Sequence, residues 1–368
     1  MKKTSAVSVA ILGINGADSP SAGLILSQCL RRQRSLPVRI IALAENPFTD
    51  GIQAVNHADE VVVVPSPRAA PEAFVLRVGE LARRVPQLVL LPGGPSEWLA
   101  LIPLRRRLSA SGASLLFPAE SLADATLPLP DREKLGRQFL IPRHHVARSR
   151  DLRPILKITW HFPLRLRASD GTTAIARTAE ELEYLIAQQH AVPLLIQEMA
   201  PGEEISIAAL GDRRGRPIGW VAAEVLSRSD NGAVWSAVTV GDSRIRALVD
   251  QLLAKLAWPG PLTLTLSFGP RGPYFTGIEP GFPSWISLAP AAGQDLPLNY
   301  VRLALGTSVL PASSYRAGLF LARVAVDQPT DITALSRLVT QGEYSDGNDR
   351  PTELRAAADH AAGARHHR

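Results

Sequence analysis

The sequence has almost no cysteine and no long apolar run. Cys29 is the only cysteine among 368 residues, which excludes an internal disulfide framework and suits a reducing compartment. It lies in an apolar helical stretch, so we predict a buried side chain rather than a nucleophile.

No stretch reaches the roughly 18 apolar residues of a membrane span. The start of the chain resembles a signal peptide, but a core strand suits it better because a turn and a helix pattern follow. We therefore expect a cytoplasmic protein without a membrane partner.

Aromatic residues are few, and basic residues are scattered. Aromatics make up 5% of the chain, and the net charge of +6 comes from arginines spread over many segments. Basic runs at 31–34 and 105–107 do not join aromatic residues in the pattern of a nucleic-acid-binding surface. We therefore predict a solvated basic face and no nucleic-acid partner. The histidines His360, His366 and His367 have no metal-ligand context.

With 368 residues the chain is long enough for two or three domains, and its apolar share of 46% is that of a globular protein. Over residues 1–120, apolar runs alternate with helical segments, which predicts a parallel α/β sheet covered on both faces. We predict strands at 7–13, 38–44, 60–64, 88–91 and 114–117, and helices near 20–33, 72–84 and 95–110. Loops at 13–16 and 92–95 would lie at the carboxyl edge, where such sheets bind ligands. Neither loop is a complete GxGxxG, and turns that need glycine are the simpler interpretation.

The sequence pattern changes around residue 131. Prolines bracket a short charged segment at 131–139, which predicts a connection between domains. Strands beyond residue 154 are shorter and alternate better, with helices at 179–189 and 242–256, so we expect an α+β fold. Thr178 and Glu181 form the pattern of a helix capping box. Residues 341–368 are polar and rich in Ala, His and Arg, and we predict a disordered tail there.

The most informative segment is LLIQEMAPGEEISIAAL, at 194–210, which predicts a strand, a Pro-Gly turn and a second strand. Alternation places Ile205 and Ile207 on one face of the second strand. The turn would hold three carboxylates close together, those of Glu198, Glu203 and Glu204. An acidic hairpin turn is one interpretation. The other is a hinge that binds adenosine, with its backbone on the adenine edge and a carboxylate on the ribose hydroxyls.

Taken in order, segments from about residue 6 to residue 325 resemble those of ATP-grasp enzymes. The carbamoyl-phosphate synthase large subunit and the carboxylate–amine ligases are the most similar members. The segments are ILGINGADSPSAGLILSQCLRRQ, LLPGGPSEWLALIPLRRRL, DREKL, FPLRLRASDG, QEMAPGEE, LAWPGPLTLTLSFGPRGPYFTGIEPGF and AAGQDLPL. The resemblance implies a Rossmann-like pre-ATP-grasp domain over 1–126. A two-subdomain ATP-grasp domain would follow over 127–340, with a small lid subdomain at about 150–200.

The resemblance also implies a chemistry. Such enzymes clamp ATP between two α+β subdomains, usually with two Mg²⁺ ions, phosphorylate a carboxylate and let an amine attack the acyl phosphate. The reaction needs cations around the triphosphate and hard oxygen ligands for magnesium, because charge spreads over the phosphoryl oxygens. ATP and Mg²⁺ are therefore the implied cofactors. The implied substrate is a small-molecule or peptide carboxylate.

Carried over position by position, the resemblance assigns a nucleotide site. The connector lysine of the family becomes Arg132, and the strand lysine that reaches the phosphates becomes Arg167. Arginine can pair with phosphate, although its planar fork differs from an ammonium group. The hinge and ribose positions fall on Glu198, Met199, Ala200 and Glu204. The glycine-rich lid shortens to residues 169–173 with one glycine, so fewer backbone N–H groups would approach a terminal phosphate.

The metal-binding strands depart most from the family. Its first magnesium ligand falls on Thr265, and its terminal Glu-Ile-Asn-Pro-Arg corresponds to Gly277-Ile278-Glu279-Pro280-Gly281. Glu279 is then the one carboxylate where a magnesium pair needs two or three hard ligands, and we name it as the candidate metal ligand.

Two hypotheses follow from these matches and losses. The chain is a degenerate ATP-grasp module that binds a nucleotide, a peptide or a partner enzyme, or it is a working ATP-dependent ligase with altered metal ligation. In a ligase, the loops at 13–19 and 93–96 would help to bind the carboxylate substrate. A protein partner and a homodimer stay open at this point.

Overall fold

The computed structural model describes residues 7–14, 21–33, 35–85, 87–119, 138–149, 151, 153–168, 173–189, 192–228, 234–312, 314–323 and 329–345. The strands are β1 Val7–Leu12, β2 Val38–Ala44, β3 Glu60–Val63, β4 Leu88–Pro92, β5 His144–Ala147, β6 Leu164–Ala168, β7 Thr173–Ala176, β8 Leu194–Glu198, β9 Glu203–Gly211, β10 Pro217–Arg228, β11 Val234–Thr239, β12 Gly260–Gly269, β13 Gly272–Pro280, β14 Phe320–Leu321 and β15 Glu343–Ser345. The α-helices are α1 Ala22–Arg31, α2 Ile52–Ala54, α3 Pro71–Arg84, α4 Pro95–Leu101, α5 Arg105–Ala110, α6 Arg153–Leu156, α7 Ala179–Gln188, α8 Ser243–Leu256, α9 Leu288–Ala291, α10 Leu296–Ala304 and α11 Ile332–Gln341. A π-helical turn at Pro47–Gly51 precedes α2, and a 3₁₀ turn at Ile102–Leu104 joins α4 to α5.

The N-terminal part forms the expected parallel sheet. Its strands lie in the order β15-β3-β2-β1-β4, and β1 pairs in parallel with both β2 and β4. Every residue of β1 is buried, as a central strand covered on both faces requires. Cys29, on α1, is buried as predicted, and burial raises the pKa of its thiol to about 12.

Two expectations for this sheet are wrong. The strand predicted at 114–117 contributes only a bridge, in which Ser114 exchanges backbone hydrogen bonds with Leu88 and Leu90. The chain leaves the sheet there because Phe117 packs its ring against Trp98, with centroids 4.6 Å apart. The disordered tail was predicted to start at 341, but β15 at Glu343–Ser345 pairs antiparallel with β3 and extends the sheet. Residues 346–368 lie outside the described ranges.

The remaining strands build two antiparallel sheets. The larger sheet has the order β13-β12-β9-β10-β11-β14, and the smaller sheet has the order β5-β8-β6-β7. In β9, Ile205 and Ile207 pack into a core cluster with Val249 of α8, as the alternation predicts. Ala208 lies in a second cluster, which is continuous with the core of the parallel sheet.

The hinge joins the two antiparallel sheets. β8 ends the smaller sheet, a turn at Pro201 and Gly202 follows, and β9 enters the larger sheet. The turn is fixed to the larger sheet, because Ser267 Oγ donates to the carbonyl of Pro201 at 2.7 Å. Gly202 has φ +96°, and a Cβ there would lie 2.1 Å from the carbonyl oxygen of Phe268. Glycine is therefore required at this turn by both backbone conformation and close approach.

The capping box predicted at Thr178 and Glu181 is confirmed only in part. Thr178 caps α7 by accepting from the backbone N–H of Glu181, but the carboxylate of Glu181 accepts from Arg177 instead of Thr178. The capping box is therefore only half formed.

Among the described residues, no helix has the length and apolarity needed to cross a membrane.

Candidate functional site

Strand β6 of the smaller sheet carries two arginines toward the larger sheet. Its leucines, Leu164 and Leu166, are buried in the core of the smaller sheet. Because side chains alternate along a strand, Arg165 and Arg167 occupy the opposite face, and both form ion pairs with the larger sheet. The cleft between these two sheets is where the sequence places the nucleotide.

Glu279, the candidate metal ligand, is paired with Arg167. Arg167 Nη1 donates to Glu279 Oε1 at 3.2 Å and to the carbonyl of Ile278 at 3.3 Å. The Arg167 side chain is 11% exposed and that of Glu279 37% exposed, so the carboxylate lies on the solvent side of the pair. The two residues that the sequence assigned to phosphate and to metal therefore bind each other.

Glu204, at the ribose position, is held by two arginines that the sequence analysis missed. Arg165 Nη2 donates to Glu204 Oε2 at 2.9 Å, and Arg228 Nη2 donates to Glu204 Oε1. Burial raises the pKa of the Glu204 carboxyl, but the two guanidinium groups outweigh it and hold that pKa below its ordinary value. The alternation in LRLRA could have indicated that Arg165 shares a face with Arg167.

Glu198, at the hinge, is also partnered within the chain. Its Oε1 accepts from the backbone N–H of His161 at 3.0 Å and lies 3.1 Å from His161 Nδ1. The backbone N–H of Met199 donates to the carbonyl of Pro163 at 3.1 Å. The hinge positions Glu198 and Met199 are therefore tied to the loop before β6. The side chain of Met199 stays exposed, and Ala200 directly precedes the turn.

The Met199 side chain lines an open cavity of about 440 Å³ at the hinge. The other lining residues are Phe162, Pro163, Ile175 and Arg177. This volume lies in the range of small-ligand pockets, about 300–1,000 Å³. An apolar slot with one guanidinium group suits a flat aromatic ring, because arginine stacks on aromatic faces. Of these lining residues, only Met199 is a binding-site residue predicted from the sequence.

Gln197 of β8 lies on the same face of the smaller sheet as Arg165. It pairs with Arg165 across β8 and β6, and Arg165 pairs with Ile175 across β6 and β7, so the three side chains form one row. The residue is 3% exposed, and its Nε2 has no hydrogen-bond partner among the described residues. An orphaned buried amide beside a cleft is a donor that a ligand could use.

The positions assigned to the other metal ligands face each other without carboxylates. Thr265 of β12 pairs with Gly277 of β13 and, on its other side, with Ser206 of β9. A Cβ on Gly277 would lie 3.6 Å from Thr265 Oγ1 and 3.7 Å from Arg167 Nη1. Ser206 is engaged by Trp285, whose Nε1 donates to Ser206 Oγ at 3.0 Å in a buried contact. Trp285 is thus a core residue.

The described residues do not fit a magnesium site. No group of three or more His, Cys, Asp or Glu side chains within them could hold a metal ion. The single carboxylate at the metal position already neutralises a guanidinium group. Hard cations such as Mg²⁺ need several oxygen ligands, which Thr265, Gly277 and Glu279 do not supply together. Arg132 and the lid residues 169–172 lie outside the described residues.

Glycines at the carboxyl edge of the parallel sheet serve close packing. A Cβ on Gly93 would lie 2.7 Å from the carbonyl of Leu12 and 2.9 Å from the Cα of Gly23. Glu97 accepts from the backbone N–H of Gly94 at 2.9 Å and so fixes the start of α4. The interpretation as turns that need glycine holds for the loop at 92–95, and residues 15–20 lie outside the described ranges.

The overall arrangement is the ATP-grasp fold, which comparison with solved structures shows. N5-carboxyaminoimidazole ribonucleotide synthetase from Thermus thermophilus is 22% identical, with a TM-score of 0.56 over 84% of this chain and 81% of that chain. The biotin carboxylase domain dimer of Hydrogenobacter thermophilus 2-oxoglutarate carboxylase, in complex with MgADP, ADP and bicarbonate, is 17% identical, with a TM-score of 0.60 over 85% and 73%. L-amino acid ligase from Bacillus licheniformis is 14% identical, with a TM-score of 0.57 over 82% and 75%.

The likeness extends over most of each chain. Neither a protein-family model nor a curated protein matches the sequence. At these identities the likeness defines the fold, and the chemistry of this chain has to be argued from its own residues.

Proposed function

We propose that this chain is an ATP-grasp-fold protein that binds a nucleotide in the cleft between its antiparallel sheets without transferring a phosphoryl group. One observation carries the proposal: each carboxylate at a hinge, ribose or metal position is already bonded to a basic residue of the same chain. Glu198 binds His161, Glu204 binds Arg165 and Arg228, and Glu279 binds Arg167.

These pairings remove the groups that phosphoryl transfer needs. Metal ions normally bridge the phosphate oxygens and neutralise the charge that develops on them. With Thr265 and Gly277 at the other metal positions, the described residues of the cleft offer guanidinium groups and no set of hard oxygen ligands. Guanidinium groups bind phosphate well, so binding can persist where catalysis is lost.

The apolar cavity beside Met199 supports the nucleotide part of the proposal. It lies at the hinge, on the cleft face of the smaller sheet, with Arg177 in its lining. A base in this cavity would place its polyphosphate toward Arg165 and Arg167, which lie on the same sheet face. A small-molecule nucleotide therefore suits the cleft better than a peptide does.

A second candidate is an active ATP- and Mg²⁺-dependent carboxylate–amine ligase that proceeds through an acyl phosphate. One observation favours it: the similar structures include an L-amino acid ligase that matches over most of its length. In that case a small-molecule or peptide carboxylate would bind near the loops at 13–19 and 93–96.

The oligomeric state of the chain is also a matter of proposal. The biotin carboxylase domain with a similar fold is a dimer, and a homodimer of this chain would be consistent with that likeness. A protein partner is the further option for a module that no longer catalyses. The domain limits at 126 and 340 stay predictions, and residues 120–137, where the first limit falls, lie outside the described ranges.

ADP release and thermal stability, measured side by side, test the proposal. ATP should raise the melting temperature, because a ligand that binds only the native state stabilises it. At 100 times its Kd, such a ligand raises the free energy of unfolding by about 2.7 kcal/mol. Arg167→Ala, which removes the guanidinium group assigned to the phosphates, should reduce this shift relative to its own ligand-free state, whereas Glu72→Ala, in an exposed ion pair with Arg107, should not.

No ADP should accumulate across a panel of carboxylates and amines. Repeated turnover that depends on a carboxylate and an amine would contradict the proposal and support the ligase. The absence of any shift at millimolar ATP would contradict both candidates.

A further inference from the structure

The guanidinium group of Arg167 lies where the ligands of a metal would converge. It reaches from the smaller sheet across the cleft, contacts Glu279 and the carbonyl of Ile278, and lies over the unsubstituted backbone of Gly277. A side chain at Gly277 would start 3.7 Å from Arg167 Nη1. Gly277 thus supplies no carboxylate, and the guanidinium group of Arg167 lies against its backbone.

We propose that Arg167 takes the place of a divalent cation in this cleft, so that a nucleoside polyphosphate binds in its metal-free form and Mg²⁺ is excluded. The inference rests on the nucleotide binding proposed above and specifies the ionic form of the ligand.

The surroundings of Arg167 keep its positive charge in place. The side chain is 11% exposed and is anchored to both a carboxylate and a backbone carbonyl of β13. A divalent cation within a few ångströms would be repelled by this fixed charge, and the Glu279 carboxylate would have to leave Arg167 to coordinate it. Thr265 offers one neutral oxygen and Gly277 offers no side-chain ligand, so these two positions do not compensate for that exchange.

The charges of the cleft favour the more anionic form of the nucleotide. Three arginines, at 165, 167 and 228, face two carboxylates, at 204 and 279, which leaves one positive charge in the cluster. Free ATP carries two more negative charges than its Mg²⁺ complex, so a cluster of positive charge attracts it more strongly. Glu279 is the more exposed partner of its pair and can turn to solvent when a phosphate takes its place on the planar guanidinium fork.

Calorimetric titration of the full chain with ATP, in EDTA and in excess Mg²⁺, tests the ionic form. We expect binding in EDTA at least threefold tighter than binding in Mg²⁺. Glu279→Gln should tighten binding in EDTA further, because it frees the guanidinium group, whereas Glu72→Gln should leave it unchanged. ATP binding that needs Mg²⁺, or is tenfold tighter with it, would overturn the inference while leaving the proposed nucleotide binding intact. No binding in either condition would overturn both.

Metal exclusion is tested separately, without nucleotide, by Mn²⁺ binding in electron paramagnetic resonance. The wild-type chain should bind no stoichiometric Mn²⁺ at millimolar concentration, and Arg153→Ala, at an exposed ion pair, should behave in the same way. The double variant Arg167→Ala/Gly277→Glu should gain one site, because it removes the guanidinium group and restores a second carboxylate. A wild-type Mn²⁺ site that Glu279→Gln abolishes would overturn the inference. Far-UV circular dichroism establishes that each variant is folded. If the double variant does not fold, Arg167→Gln, which removes the positive charge but keeps hydrogen-bonding groups, replaces it as the test of reduced exclusion.

Discussion

The indole ring of Trp98 lies directly against the backbone of Gly281, so that a Cβ at Gly281 would be 2.5 Å from Trp98 Cδ1. Trp98 belongs to α4 beside the parallel sheet, and Gly281 directly follows β13 of the larger sheet. The family resemblance places an arginine at position 281. Here the indole of α4 fills the space that such a side chain would need, so an arginine at this position would overlap with Trp98.

Gly281→Ala should destabilise the chain by roughly 2–4 kcal/mol, because it adds backbone strain at φ +97° to a steric overlap with a fully buried ring. Urea unfolding measures this loss. Gly293→Ala is the matched control, since φ is +91° there and a Cβ would meet nothing within 4 Å. It should cost only about 1 kcal/mol from backbone strain. Equal losses in the two variants would show that Trp98 does not crowd Gly281.

Glu204→Gln should cost about 1–3 kcal/mol of unfolding free energy at pH 7, because it leaves Arg165 and Arg228 without their shared carboxylate. The native pKa of Glu204 is lowered from 4.5, so its contribution is fully present above that pH and is lost as the pH falls through the native pKa. Urea unfolding at several pH values should therefore show the difference between variant and wild type at pH 7 and a smaller difference in acid.

The matched control for this measurement is Glu72→Gln. Its ion pair with Arg107 is exposed, with 73% of the Glu72 side chain accessible, so we expect a change below about 0.5 kcal/mol at every pH. A Glu204 variant whose deficit stays constant down to pH 3 would contradict the assigned pKa direction.

The sequence predicts the parallel sheet well and the site only in part, for a physical reason. Strand β2 was predicted at 38–44 and is observed at Val38–Ala44, because an apolar run between turn residues is a local signal. The strand at 114–117 fails because tertiary contacts of Phe117 outweigh that local signal. Arg167 and Glu279 were each named from the resemblance, but their contact joins residues 112 positions apart. Alternation and spacing carry no information about such a contact.

A chain that ends at Asp331 should lose at least about 2 kcal/mol of stability, because it lacks α11 and β15. Leu338 of α11 is buried, and Glu343 of β15 binds Arg77 at 2.5 Å and Arg84 at 2.6 Å. The truncation also exposes the edge of β3, which favours aggregation. Calorimetry and light scattering measure the two effects.

A chain that ends at Ser345 is the control for this truncation, and it should keep the stability of the full chain. If the two truncated chains were equally stable, β15 would not contribute to the sheet, and the tail predicted from residue 341 would be restored.

Gln197→Met should leave the ligand-free chain as stable as the wild type or stabilise it by up to about 1 kcal/mol. The buried Nε2 of Gln197 has no hydrogen-bond partner among the described residues, so the native chain bears the cost of an unsatisfied donor that methionine removes. Gln294 is the matched control, because its side chain is equally buried but its Nε2 donates to the carbonyls of Ala312 and Ser314 at 3.2 and 2.7 Å. Gln294→Met should therefore cost about 1–3 kcal/mol by leaving those carbonyls unpaired. Comparable losses in both variants would show that Gln197 is satisfied in the free protein, and the cleft would then have no unpaired amide to offer a ligand.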